Sequence, residues 1–240
     1  MPAVCDHHIA ESELYDIWTA DRSTRLYRNE MLRYQHLLRL FPIDISRRVL
    51  DVGCGTGFMS CLLAQKRLSV TAIDISEPSL ALFSDRASQL NIRQMNMDLF
   101  DAGFSGYDAL ISQEVLEHIP DFAAAIGKMS TFLRKDGYAL FCVPYKENLA
   151  AKTKICPKCG QAFHTNGHLH HFTIENLSKA VEDNKFKILT VRRITNKRAV
   201  KWLTGLHLNV NSFTLAFDSL MNLFFPHKAT YFAILAVRVD

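Results

Sequence analysis

The stretch Val49–Gly57, VLDVGCGTG, is a short apolar run that ends in three alternating glycines. Phe58–Gln65, FMSCLLAQ, follows at once and reads as a helix. Glycine lets the backbone turn sharply and lets a ligand approach where a Cβ would stand in the way. The helix beginning near Phe58 presents unpaired N–H groups and the positive end of its dipole, which suits a carboxylate or the polar part of a nucleotide. The dinucleotide fingerprint G-x-G-x-x-G, counted from Gly53, puts its third glycine at position 58, which is Phe58. That departure counts against a nicotinamide or flavin site.

Moving outward, short β-rich runs alternate with helical ones. Strands are predicted at Val49–Val52, Val70–Ile73, Ile92–Met95, Tyr107–Ile111 and Tyr138–Val143, the last stopped by Pro144. Helices are predicted from Pro78, with Ser76 as N-cap, to about Leu90, and over Asp121–Leu133, ending near Asp136-Gly137. A helix capped by Thr173 and two more strands, Lys185–Ile194 and Ala229–Val239, complete the order. This alternation implies an α/β fold, a mostly parallel sheet with helices on both faces. Residues 1–45 are expected to form a helical N-terminal cap on the sheet, a cap that closes over the ligand with Tyr15 or Trp18 being the second reading, and residues 46–240 the main domain. Two insertions interrupt that domain, a polar Lys/Cys/His-rich lid at 145–172 and an apolar segment at 195–228.

Composition bounds the function. The 240 residues are 48% hydrophobic and carry 28 basic against 24 acidic side chains, a net charge of +4, which is far from the footprint of a dedicated nucleic-acid binder. The N-terminus lacks a basic head followed by an apolar run, and the greasiest region, Phe213–Phe225, is broken by Asp218 and Asn222. Neither a secretory signal nor a membrane span is expected, and the location is read as cytoplasmic. Cys54, Cys61 and Cys142 read as small buried hydrophobes, Cys5 as part of a loose tail.

Asp74 ends the second strand in VTAIDIS, where a carboxylate can accept two charge-strengthened hydrogen bonds from ribose hydroxyls. With VLDVGCGTG, Asp98 in NMDLFD and YDALISQEVLEHIPD at 107–121, residues 46–145 resemble the class I methyltransferases that use S-adenosylmethionine, in particular their ubiquinone-type small-molecule branch. The resemblance implies a Rossmann-like, doubly wound, seven-stranded sheet. It implies S-adenosylmethionine held by Asp51, Gly53, Cys54, Gly55, Gly57, Asp74, Ile75, Asp98, Leu99, Gln113 and Glu114. In it Asp74 takes the ribose and Asp98 the adenine amino group, while Asp51 faces the ammonium or orients the loop. The expected activity is methyl transfer to a small-molecule acceptor, hydrophobic or aromatic, with the protein supplying proximity and alignment.

The lid carries Cys156-x2-Cys159-x4-His164-x3-His168, the order of a short Cys/His zinc knuckle, and four such ligands would make a structural zinc site. A reduced Cys pair in a histidine-rich loop and a redox pair are the other readings. A general base is needed only if the acceptor must lose a proton, and His118, His170 and His171 are the candidates. Glu114, Glu117 and His118 share one face if helical. Similar residues hold a divalent metal in the RNA 3′-end 2′-O-methyltransferases, which makes that activity the first rival. A non-catalytic accessory protein that binds S-adenosylmethionine and docks a partner through the knuckle is the second. Phe213, Phe217 and Leu220 predict an amphipathic helix that packs into the core or a homodimer, with a hydrophobic acceptor pocket or a lipid-surface contact as the other reading. The basic run from Arg192 to Lys201 reads as a solvated edge.

Overall fold

Alternation of apolar side chains along the parallel strands lets each strand feed two cores, one on either face of the sheet. A computed structural model describes residues 17–157 and 159–239, so Cys5 and Tyr15 lie outside the described residues. Strands β1 (Arg48–Val52), β2 (Ser69–Asp74), β3 (Arg93–Asn96), β4 (Tyr107–Gln113), β5 (Leu133–Pro144), β8 (Phe186–Asn196) and β9 (Ala229–Arg238) form one sheet in the order β3-β2-β1-β4-β5-β9-β8. The first five are parallel, and β9 runs antiparallel to both β5 and β8. Between β5 and β8, β6 (Thr153–Ile155) and β7 (Ala162–His164) make a separate antiparallel hairpin. The expected doubly wound, mostly parallel sheet is therefore present.

Helices α1 (Arg25–Leu40), α2 (Phe58–Gln65) and α3 (Glu77–Gln89) cover one face. Helices α4 (Phe122–Phe132) and α5 (Ile174–Asp183) cover the other. In β1, Val49 enters the first core and Leu50 and Val52 the second. Cys54, Cys61 and Cys142 are buried in the first core, as their apolar surroundings suggested. Caps set the helix starts: Ser76 Oγ accepts the Ser79 amide, Asp121 the Ala124 amide, and Thr173 and Asn176 form a capping box. The stop expected at Asp136-Gly137 comes earlier. Helix α4 ends at Phe132, β5 starts at Leu133, and residues 134–137 form a bulge whose Arg134 pairs with Asp108 at 2.8 Å.

The segment 195–228 folds into α6 (Lys197–Gly205) and α7 (Ser212–Phe224). The amphipathic helix exists, but its orientation corrects the expected core packing. Helix α7 buries Thr214, Leu215, Asp218 and Asn222, while Phe213 and Leu220 face outward. The buried acid explains the inversion. Asp218 is fully enclosed and accepts the amides of Thr195 (3.0 Å) and Asn196 (2.6 Å), the side-chain amide of Asn222 (3.1 Å) and the ring of His36 on α1 (2.9 Å). A buried carboxylate is tolerated only when so satisfied, and its partners dictate which side of α7 turns inward. No helix among the described residues is long and apolar enough to cross a membrane.

Asp218→Ala is expected to lower stability by about 3 kcal/mol or more, because four donors lose their acceptor in the interior. The urea midpoint measures it, and an unchanged midpoint would remove this network from the support of the fold.

Candidate active site

Strand order reverses at β1, whose neighbours are β2 on one side and β4 on the other, so the carboxyl ends of β1 and β4 border the crevice where such sheets bind ligands. The glycine loop sits there. Gly53, Gly55 and Gly57 all have positive φ. A Cβ on Gly53 would stand 2.2 Å from the Val115 side chain, and one on Gly57 2.3 Å from the Phe83 ring. A Cβ on Gly55 would meet nothing within 4 Å, so this glycine faces open space. Two glycines thus serve packing, and the third leaves room for a ligand.

Asp74 closes the loop from the β2 side. One carboxylate oxygen accepts the Gly55 amide at 2.7 Å and the other the Ser76 amide at 2.8 Å. Ile75 beside it is 73% exposed, an apolar ledge at the mouth of the crevice. Asp98 is exposed and accepts the Phe100 amide at 2.7 Å, and Leu99 is buried next to it. Cys54 is buried, and burial raises its thiol far above the usual range. Asp51 is fully buried with one oxygen bonded to Ser60 Oγ at 2.5 Å and the other without a partner. Burial pushes its carboxyl up to about 7, with the Ser60 bond opposing. Gln113 likewise holds a buried Oε1 without a partner. Trp18 donates its ring N–H to Thr56 O at 3.2 Å and packs against Phe58 with the two rings tilted, so it lies beside the glycine loop.

Glu114, Glu117 and His118 do not share a helix face. Glu114 lies at φ +55, and only Leu116–His118 forms a 3-10 turn. Glu114 turns instead toward α1, where Arg33 bridges it (3.2 Å) and Glu30 (2.5 Å), and Tyr231 lies under the guanidinium. Burial raises both Glu114 and Glu117. Arg33 offsets part of that for Glu114, whereas the charge of Glu114 adds to it for Glu117. Sequence reasoning missed Glu30, Arg33 and Tyr231, because charged residues on an amphipathic cap read as its wet face. Their spacing at i and i+3 was the available signal.

The zinc knuckle is not assembled. Cys156 and Cys159 belong to the turn at the tip of the β6–β7 hairpin, where the Cys156 amide bonds Gln161 O. His164 pairs with Thr153 at the base of the hairpin. Three residues of strand, about 10 Å, separate these levels. His164 Nδ1 also accepts the amides of Asn166 (3.3 Å) and His168 (3.1 Å), which puts its proton on the buried Nε2. Among the described residues, two groups bring ligand atoms within 4.8 Å of one another: Glu117, His118 and His168, and Glu147, His164 and His168. Neither contains a cysteine. Glu147, also unforeseen, holds His168 Nδ1 and Lys152. Burial would raise its carboxyl, but those two partners outweigh it and lower it to about 2. His170 Nε2 bonds Ile119 O at 2.8 Å and His171 Nδ1 bonds Glu147 O at 2.6 Å, so each uses one ring nitrogen structurally. Burial and the neighbouring His168 lower His118 to about 4, which keeps it neutral near pH 7.

The chain matches the model of the methyltransferase domain family over residues 24–191. An uncharacterised methyltransferase of Mycobacterium tuberculosis is 30% identical over 149 residues, 60% of this chain and 75% of the relative. A ubiquinone biosynthesis O-methyltransferase of Alkalilimnicola ehrlichii is 33% identical over 100 residues, 40% of each chain. Among solved structures, an S-adenosylmethionine dependent methyltransferase from Mesorhizobium loti matches with a TM-score of 0.63 at 18% identity, covering 93% of this chain and 100% of that one. Geranyl diphosphate methyltransferase in complex with GPP and sinefungin matches at 0.65 and 18%, covering 89% and 79%. At such identities these two structures share the fold.

The raised carboxyl of Asp51 sets a pH dependence. Folding favours its protonated form, so its contribution is fully present below the unfolded value of 3.8 and is lost as pH rises through about 7. The melting temperature of Asp51→Asn should therefore gain on the wild type as pH climbs across that window. Parallel curves would contradict the burial assigned to Asp51.

Proposed function

The chain belongs to the methyltransferase domain family, and from that premise we propose that it transfers the methyl group of S-adenosylmethionine to a hydrophobic or aromatic small-molecule acceptor. The observation that carries this reading is Gly55, open on its outer side and tied by its amide to Asp74, at the reversal of strand order. S-adenosylmethionine, when bound, supplies a methyl group on a positively charged sulfur that is already a good leaving group.

The chain's residues then bind and orient. Asp74 retains lone pairs for two ribose hydroxyls. Ile75 and Leu99 would hold the adenine, and Asp98 would take its amino group. The start of α2 receives the carboxylate. The unpartnered oxygens of Asp51 and Gln113 suit an ammonium, since buried acceptors of this kind are costly unless paired. Gly53 and Gly57 hold the loop against Val115 and Phe83, and Cys54 fills the space beneath it. Glu114, oriented by Arg33, faces the acceptor. Trp18, Tyr34 and Phe58 form an aromatic group beside the loop that excludes water from it. For a hydroxyl acceptor, His118, His170 and His171 are the candidate bases. The ubiquinone biosynthesis O-methyltransferases among the relatives support transfer to an oxygen.

Asp74→Ala should weaken S-adenosylmethionine binding by about tenfold or more, the loss of at least about 1.4 kcal/mol, measured by calorimetry. Unchanged affinity would refute the ribose assignment. A panel of phenolic and lipophilic acceptors, read by S-adenosylhomocysteine release, tests transfer itself. Tight binding with no turnover on any acceptor would favour the accessory-protein reading.

A second reading rests on one further observation. The Glu117 side chain is fully buried, neither carboxylate oxygen has a hydrogen-bond partner, and His118 and His168 stand beside it. Two histidines and a carboxylate suit a divalent cation, and Glu147 on His168 Nδ1 would orient that ring as a ligand. This reading favours zinc or a similar ion there rather than on the cysteine turn, and the metal-dependent RNA 3′-end activity as the alternative transfer. Metal analysis should then find about one ion per chain, lost in Glu117→Gln but kept in Cys156→Ser. Full activity after strong chelation would remove the metal from the reaction.

A further inference from the structure

Helix α7 is built inside out. Its inward side carries Thr214, Asp218 and Asn222 with Leu215 as its one fully buried apolar residue, and its outward side carries Phe213, Leu220, Leu223 and Phe224. Phe213 is 76% exposed, Leu223 74% and Phe224 63%. On a globular domain the apolar stripe of a surface helix normally faces the core. Here the Asp218 network fixes the opposite orientation, so the apolar stripe has no role inside the fold.

Helix α6 lies antiparallel beside α7. The Arg198 guanidinium sits 3.8 Å over the Phe225 ring, joining the start of α6 to the end of α7. Val200 and Leu203 pack on Leu215 and on Leu32 of α1, so the hairpin rests on α1 with its other side outward. That outer side continues the apolar surface through Trp202, 61% exposed, and through Leu206 and Leu208 in the connecting turn. Exposed apolar surface of this extent marks an interaction site.

Charge selects the occupant. Between residues 184 and 230 the chain has eight basic residues and one acid, Asp218, which is buried. Lys197, Arg198 and Lys201 are exposed on α6 itself, and Arg192 and Arg193 on the adjoining strand β8. Trp, Phe and Leu facing outward beside Lys and Arg, with no exposed acid between residues 184 and 230, is the composition of helices that lie in the interface of an anionic bilayer. A second copy of the chain would bring the same basic residues against themselves.

We propose that the α6–α7 hairpin docks the protein on the surface of an anionic phospholipid bilayer, Trp202, Phe213, Leu223 and Phe224 entering the interface and Lys197 and Lys201 meeting the headgroups. This mode lays the helices along the surface and needs no spanning segment. It does not depend on the identity of the methyl acceptor.

The test is flotation of the full chain with vesicles of phosphatidylcholine alone and of phosphatidylcholine with phosphatidylglycerol in equal parts. Binding is expected to the mixed vesicles, to weaken several-fold as salt is raised, and to shift the Trp202 emission to the blue. Phe213→Ser/Leu223→Ser and, separately, Lys197→Glu/Lys201→Glu should each lower binding by roughly tenfold or more. Both variants change exposed side chains only, so their melting temperatures and S-adenosylmethionine affinities should match the wild type. No binding to either vesicle would overturn the proposal. So would a stable wild-type dimer that Phe213→Ser/Leu223→Ser converts to a monomer, since the stripe would then be a contact between copies.

Discussion

Asp74 accepts the amide of Gly55 through one carboxylate oxygen and that of Ser76 through the other. These two bonds couple the glycine loop after β1 to the entry of α3 after β2, across strands paired from Arg48↔Ser69 to Val52↔Ile73. The amides of Gly53 and Cys54 converge on Ile73 O from the same side. The loop is thereby held open over Gly55 while it is packed shut at Gly53 and Gly57. Pre-set backbone geometry of this kind is what lets a protein align a cofactor without ordering itself on binding.

Buried charge organises the other side of the molecule. Arg33 joins Glu30, Glu114 and Tyr231, which belong to α1, the end of β4 and β9. Asp218 joins α1, β8 and α7 through His36, Thr195 and Asn196. Both networks use α1 as the hub, so this helix is an integral part of the packed interior. Buried groups that lose a partner are strongly destabilising, which makes such networks specify one arrangement. The outward apolar face of α7 follows from the second network.

Much of the order of elements was legible along the chain. Starts and ends of α2, α3, α5 and β2 follow from local signals: a glycine turn, Ser76, Thr173 and apolar runs. The bulge at 134–137 was not legible, because Asp136-Gly137 serves a helix stop and a strand bulge equally well. Ligands for a metal were the least legible. Cys156, Cys159, His164 and His168 are neighbours in sequence, yet a two-stranded hairpin extends about 3.3 Å per residue and carries the cysteines away from the histidines. Glu147 and Glu117 reach His168 because the lid folds back, with the Leu169 amide on Glu117 O.

Strand, glycine turn, helix and acid are local features, coded by residues within one or two turns of each other. Hence VLDVGCGTG and Asp74 make the glycine turn and its tie to the end of β2 legible in the sequence. The partners of Glu114, the grouping of Glu117, His118 and His168, and the inside-out face of α7 join residues far apart in the chain. Their arrangement follows from which buried charges must be satisfied once all elements are packed, and that is a property of the assembled interior rather than of any window of sequence.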